Sequence, residues 1–180
     1  MTTFDDFVRR PWPKGTSEAE TLWGFLDFYR GTLANKCVGL TDEQLKTAAI
    51  APSTLTLLGL VRHLVEVERW WIDVVFFGDF DLPIFPVNSD DPDGDFNDLD
   101  AVSVGEVFEH CRVHWDLISS RVAGHALEET SVGISGRLND DGSPVHFTLR
   151  FIAAHLVEEY ARHCGHADLL REVLDGEAGH

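Results

Sequence analysis

A chain of 180 residues is long enough to close one hydrophobic core without disulfides, and 44% hydrophobic content with 12 Phe and 5 Trp excludes a disordered chain. Its formal charge of −17 opposes association with nucleic acid or with an anionic membrane surface, because both would be repelled. The residues after Met1 lack a basic segment followed by an apolar run, and no stretch reaches the roughly 18 apolar residues of a membrane span. Three separated cysteines, Cys37, Cys111 and Cys164, suit a reducing compartment, so one cytoplasmic domain spanning 1–180 is expected.

After an irregular opening from Arg9 to Pro13, Ser17 and Glu20 read as a capping box that starts a helix carrying Leu22, Leu26, Tyr29 and Leu33 at helical spacing. Thr41 and Gln44 repeat the signature before Leu45, which predicts a short helical turn. From about Thr56 to Phe77, the residues Leu57, Leu60, Leu64, Val67, Trp71 and Val74 trace one face, and Gly78 offers a stop. Asp79 to Asp100 holds eight aspartates, three prolines and Gly94, the composition of a solvated loop. Ser103 and Glu106 cap a third long helix with Val104, Val107, Cys111, Ile118 and Val122 in register, ending near Gly124. Asp140, Asp141 and Gly142 then supply turn chemistry for a small hairpin between 134–138 and 145–147. Thr148 starts the last helix, which runs to about Leu174 and stops at Gly176. Four long amphipathic helices predict an all-α four-helix bundle with an irregular acidic loop and a small hairpin before the last helix.

Two of these helices carry polar residues where the apolar stripe should continue. On the last helix the stripe runs Ile152, Leu156, Glu159, His163, His166, Leu170, and a carboxylate at such a position is costly unless paired or bound to a cation. On the second, the stripe Leu60, His63, Val67, Trp70, Val74 puts an imidazole among apolar neighbours. Side by side, the helices would bring His63, Glu159 and His163 around a single divalent metal with coordination positions left open.

Leu58 to Leu64 with Glu68, Arg69, Trp70 and Trp71, and above all the closing block His155 to Arg171, resemble the DinB-like superfamily. Within it the chain is similar to the thiol-dependent branch that includes mycothiol-dependent maleylpyruvate isomerase, in which a Glu replaces one His of the usual three-histidine set. The resemblance implies zinc or a similar ion held by His63, Glu159 and His163, and a low-molecular-weight thiol such as mycothiol bound to it as thiolate. It also implies a homodimer as a common state of relatives. Nickel, iron and manganese suit the same donors as zinc.

His155 and His166 lie one turn to either side of the ligand pair and could instead complete it. The reading preferred here gives His155 to packing and makes His166 an outer partner that orients a ligand, or a contact to the bound thiol. Cys164, adjacent to His163, points about 100° away and is structural. Glu66, one turn from His63, suggests a di-iron Glu-x-x-His site, but the order is reversed and the second motif is absent. Ser89, Asp91, Asp93, Gly94 and Asp100 fall on positions of a calcium loop, with a poor match at both ends. Trp70, Trp71, Phe76 and Phe77 are open between pocket lining and core, and Arg69 and Arg162 between substrate anion contact and ion pairing. Two functions follow: a metal-dependent enzyme using a thiol for transfer to, or isomerisation of, a small electrophile, and a non-catalytic metal-binding bundle with a structural or small-molecule-binding role.

Overall fold

The computed structural model describes residues 11–15, 17–80, 84–85, 91, 93–94, 96–97, 99 and 102–177. Arg9 and Arg10 of the irregular opening, and Ser89 and Asp100 of the calcium-loop reading, lie outside them.

Helix α1 (Glu18–Asn35) starts where expected: Ser17 Oγ accepts from Glu20 N at 3.2 Å while the Glu20 carboxylate accepts from Ser17 N at 3.0 Å. Thr41 and Gln44 do the same for α2 (Asp42–Leu45). Helix α3 (Leu57–Arg69) begins at Thr56, whose hydroxyl accepts from Gly59 N at 3.0 Å, and runs on as a π-helical segment, Trp70–Phe76. Helix α4 (Val104–Val122) is capped by Ser103, and α5 (Leu149–Asp175) by Thr148. Gly176 closes α5 at φ 82°, a conformation that a side chain would strain.

The π segment widens the turns after Arg69. Phe77 N donates to Ile72 O, five residues back, so each turn is wider than the 3.6-residue period used to read the stripe. Every residue from Trp71 to Phe76 is buried, whereas Trp70, expected on the inward stripe, turns out at 41% exposure. The chain returning after α4 seals this segment. Val132 N donates to Phe76 O at 2.9 Å, and at Gly133 a Cβ would stand 2.1 Å from Val74 O, so only glycine fits.

The hairpin before α5 is smaller than the sequence suggests. It reduces to isolated antiparallel bridges, Leu138 with Pro144 and Thr130 with Thr148, and the described residues contain no strand. Pro144 has no N–H to extend a ladder.

Helix α1 packs on α5, α5 on α3, and α3 on α4, around a core that includes Leu26, Leu33, Leu60, Leu64, Ile72, Ile118, Ile152 and Leu156. At its centre Arg30 of α1, 4% exposed, makes a two-pronged ion pair with Glu68 of α3, 0% exposed. Arg30 also donates to Ser119 Oγ of α4 at 3.1 Å, which brings α1 to α4. Trp115 Nε1 of α4 donates to the Tyr160 hydroxyl of α5 at 3.0 Å, and Tyr160 hydrogen-bonds to Glu68. One buried polar network thus touches all four long helices. No helix among the described residues is long and apolar enough to cross a membrane.

Two predictions follow from this centre. Removing the carboxylate with Glu68→Ala strands a buried guanidinium and should cost about 3–5 kcal/mol in urea unfolding, while the double change Arg30→Met with Glu68→Leu should recover most of it; equal losses in both variants would count against the pair as the cause. His114 of α4 is buried, and its Nε2 has no hydrogen-bond partner among the described residues. Burial lowers its pKa from 6.5 to about 4, with Glu68 acting the other way and Arg30, Arg69 and Arg121 reinforcing the drop. The unfolded chain therefore takes up this proton before the folded one does, and stability falls as pH drops from 6.5 to about 4, by about 3 kcal/mol in all. In His114→Phe, stability measured across that window should be flatter; an unchanged slope would assign the loss elsewhere.

Candidate metal centre

Successive steps of four and three residues put Glu159, His163 and His166 on one side of α5, the side that meets α3. Glu159 and His163 are buried at 9% and 6% exposure, and His63 reaches them from α3, half-buried. Each of the three offers a ligand atom, and these atoms all lie within 4.8 Å of one another. His163 Nε2 is 3.5 Å from Glu159 Oε2, and the His63 and His163 rings meet at 5.0 Å between centroids and 65° between planes.

Both imidazoles are held from behind. His166 Nδ1 lies 3.2 Å from His163 Nδ1, so the hydrogen bond between them leaves His163 Nε2 facing Glu159. His63 is stacked under Phe96 at 4.3 Å and 27°. Phe96 belongs to the acidic loop, which docks on α3 where Asn97 O accepts from Arg62 at 3.0 Å. Sequence reading passed over Phe96; its only signal was an aromatic residue among aspartates.

A cation suits this donor set. Two donors 3.5 Å apart match the spacing across a tetrahedral ion with bonds of about 2.0–2.1 Å. A positive group already occupies the charge position: Arg162 Nη2 donates to Glu159 Oε2 and lies 3.4 Å from His163 Nε2.

The other residues singled out from sequence fall beside the cluster or away from it. The His155 ring packs edge-on against Trp71 at 4.9 Å, as a packing role requires, but its Nδ1 also meets Glu158 Oε2 at 3.2 Å and its Nε2 is 3.8 Å from Glu159 Oε1. His155, Glu158 and Glu159 thus form a second group of ligand spacing that shares Glu159 with the first. Arg69 is committed to Glu66 at 2.7 Å, both side chains nearly buried, and Glu66 also accepts from Phe85 N, so neither turns to the cluster. Cys164 is buried, with Sγ toward Tyr29 O of α1. Cys37 and Cys111 are buried too; burial pushes the Cys37 thiol up to about 12 and raises Cys111 well above its usual value.

The all-α arrangement of these helices is that of a DinB-like bundle. The sequence pattern described as Mycothiol-S-transferase matches residues 21–176, from within α1 to the cap of α5, and the chain belongs to that family of mycothiol-related transferases. Among curated proteins, none matches the chain.

Proposed function

We propose that this chain is a metal-dependent enzyme that transfers mycothiol, or a low-molecular-weight thiol like it, to a small electrophile. The observation that carries this reading is the convergence of His63, Glu159 and His163, with ligand atoms within 4.8 Å of one another. Membership of a mycothiol-related transferase family supplies the thiol. Zinc is the preferred ion, and nickel, iron or manganese would accept the same donors.

A bound divalent ion would lower the pKa of a thiol placed against it, so that a thiolate is present near neutral pH. The protein's part is to hold the donors rigid and leave one side open. Glu159 supplies the negative charge, and His63 and His163 supply neutral nitrogens. His166 fixes the His163 ring through the bond between their Nδ1 atoms, and Phe96 covers His63 on its outer side. A thiolate held beside these residues would be able to displace a leaving group from an electrophilic carbon, the C–S bond forming as the leaving group departs with its bonding pair. When no group leaves, addition to a conjugated double bond followed by loss of the same thiol gives isomerisation.

The thiol has to come from solution, because Cys37, Cys111 and Cys164 are all buried. This reading places the protein in the cytoplasm, where such thiols are kept reduced. All three ligands come from one chain, so the centre needs no second copy.

A non-catalytic bundle is the second reading, and Arg162 favours it: its guanidinium satisfies Glu159 with no ion present. Metal analysis on protein purified without an affinity metal separates the two. About one ion per chain is expected in the wild type and none in His63→Ala or Glu159→Ala, with His166→Ala weakening binding by about 10–100-fold. The loaded wild type alone should consume mycothiol in the presence of 1-chloro-2,4-dinitrobenzene. A wild type that binds metal yet shows no thiol-dependent turnover would favour the non-catalytic bundle.

A further inference from the structure

Among the charged groups around the cluster, Arg162 is the one whose place conflicts with the proposed function. It follows Ala161 on the solvent edge of α5, half-exposed at 50% of its side chain, and it folds back so that Nη2 donates to Glu159 Oε2 and sits 3.4 Å from His163 Nε2. Those two atoms lie 3.5 Å apart, the spacing at which both could bind one ion. An ion bonded to both would lie within about 3.5 Å of Nη2 whichever side of the pair it took, given bonds of about 2.0–2.1 Å. A divalent cation and a guanidinium at that distance repel each other and draw on the same carboxylate oxygen, so each weakens the hold of the other. Arginine stays charged at every relevant pH, so it cannot relieve the conflict by losing a proton.

We propose that Arg162 is a built-in competitor for the cation site: in the metal-free chain its guanidinium takes the place of the ion and keeps Glu159 and His163 in ligand register, and a cation enters only by displacing it. The inference rests on reading His63, Glu159 and His163 as the cation site. Its physical logic has two sides. A buried Glu159 without a counter-charge would be costly, and Arg162 supplies one from a position open enough to swing away. The cost of that displacement is subtracted from metal affinity, so the wild type binds its ion more weakly than the three donors alone allow.

Zinc affinity measured by competition with a chromophoric chelator tests this on wild type, Arg162→Gln and Arg162→Lys. Because Arg162 is half-exposed, both variants should keep the wild-type circular dichroism spectrum; metal-free Arg162→Gln should unfold at a lower midpoint, having lost the counter-charge of Glu159, and Arg162→Lys should stay close to the wild type. Arg162→Gln should bind zinc at least several-fold more tightly, with Arg162→Lys in between, and the wild-type proton resonance of the Arg162 Nε–H should move on zinc addition. If Arg162→Gln binds zinc as the wild type does, or more weakly, Arg162 is an outer support of Glu159 rather than a competitor, and the inference fails while the metal centre stands. If no protein binds zinc, the centre and the competitor fail together.

Discussion

The buried pairing of Arg30 with Glu68 is the constraint on which the rest of the bundle depends. Two charges taken this far from water must each be matched, and here the match reaches every long helix: Arg30 meets Glu68 on α3 and Ser119 on α4, while Trp115 of α4 and Glu68 both meet Tyr160 on α5. An apolar core tolerates small slips of one helix along another at modest cost. A network of directed bonds does not, because a slip of even one residue leaves a buried donor or acceptor unmatched.

That fixity is transmitted to the candidate centre through neighbours in the chain. Tyr160 follows Glu159 directly, so bonding Tyr160 toward α4 turns Glu159 about 100° away around α5, toward α3. Glu68 lies five residues beyond His63 on the same helix, and its bond to Arg30 sets the height and rotation at which His63 faces α5. Glu68 and Tyr160 on one side, and His63 and Glu159 on the other, are thus carried by the same two helices, α3 and α5. Precision at the ligand atoms is supplied by bonds on the far side, where no substrate would disturb them.

The bundle was legible in the sequence because its signals are local. Capping residues at Ser17, Thr41, Thr56, Ser103 and Thr148 and the stop at Gly176 act within a few residues of themselves. His63, Glu159 and His163 could be singled out because each breaks an apolar stripe, and the stripe itself says which side the break faces. What escaped depends on partners distant in sequence or on a change of period. Glu68 enters the sequence reading only as part of a family-like block, and its pairing becomes visible once Arg30, 38 residues away, is brought to it. The π winding brings every residue from Trp71 to Phe76 into the interior, which a period of 3.6 cannot anticipate, and the support of His63 by Phe96 needs the docking of a loop that composition describes only as polar.

The surface charge bears on the order of events at the centre. A field set by −17 attracts divalent cations and repels anions, so a thiolate formed in solution would approach against the field while a neutral thiol would not. Under the proposed function, ionisation would then follow binding, next to the cation. The proposed donor set suits that order: a single carboxylate with two neutral imidazoles would leave a divalent ion with net positive charge, where a second carboxylate would cancel it. The half-exposed Arg162 marks where this group of residues meets solvent, away from the sealed interior that holds the chain's own thiols.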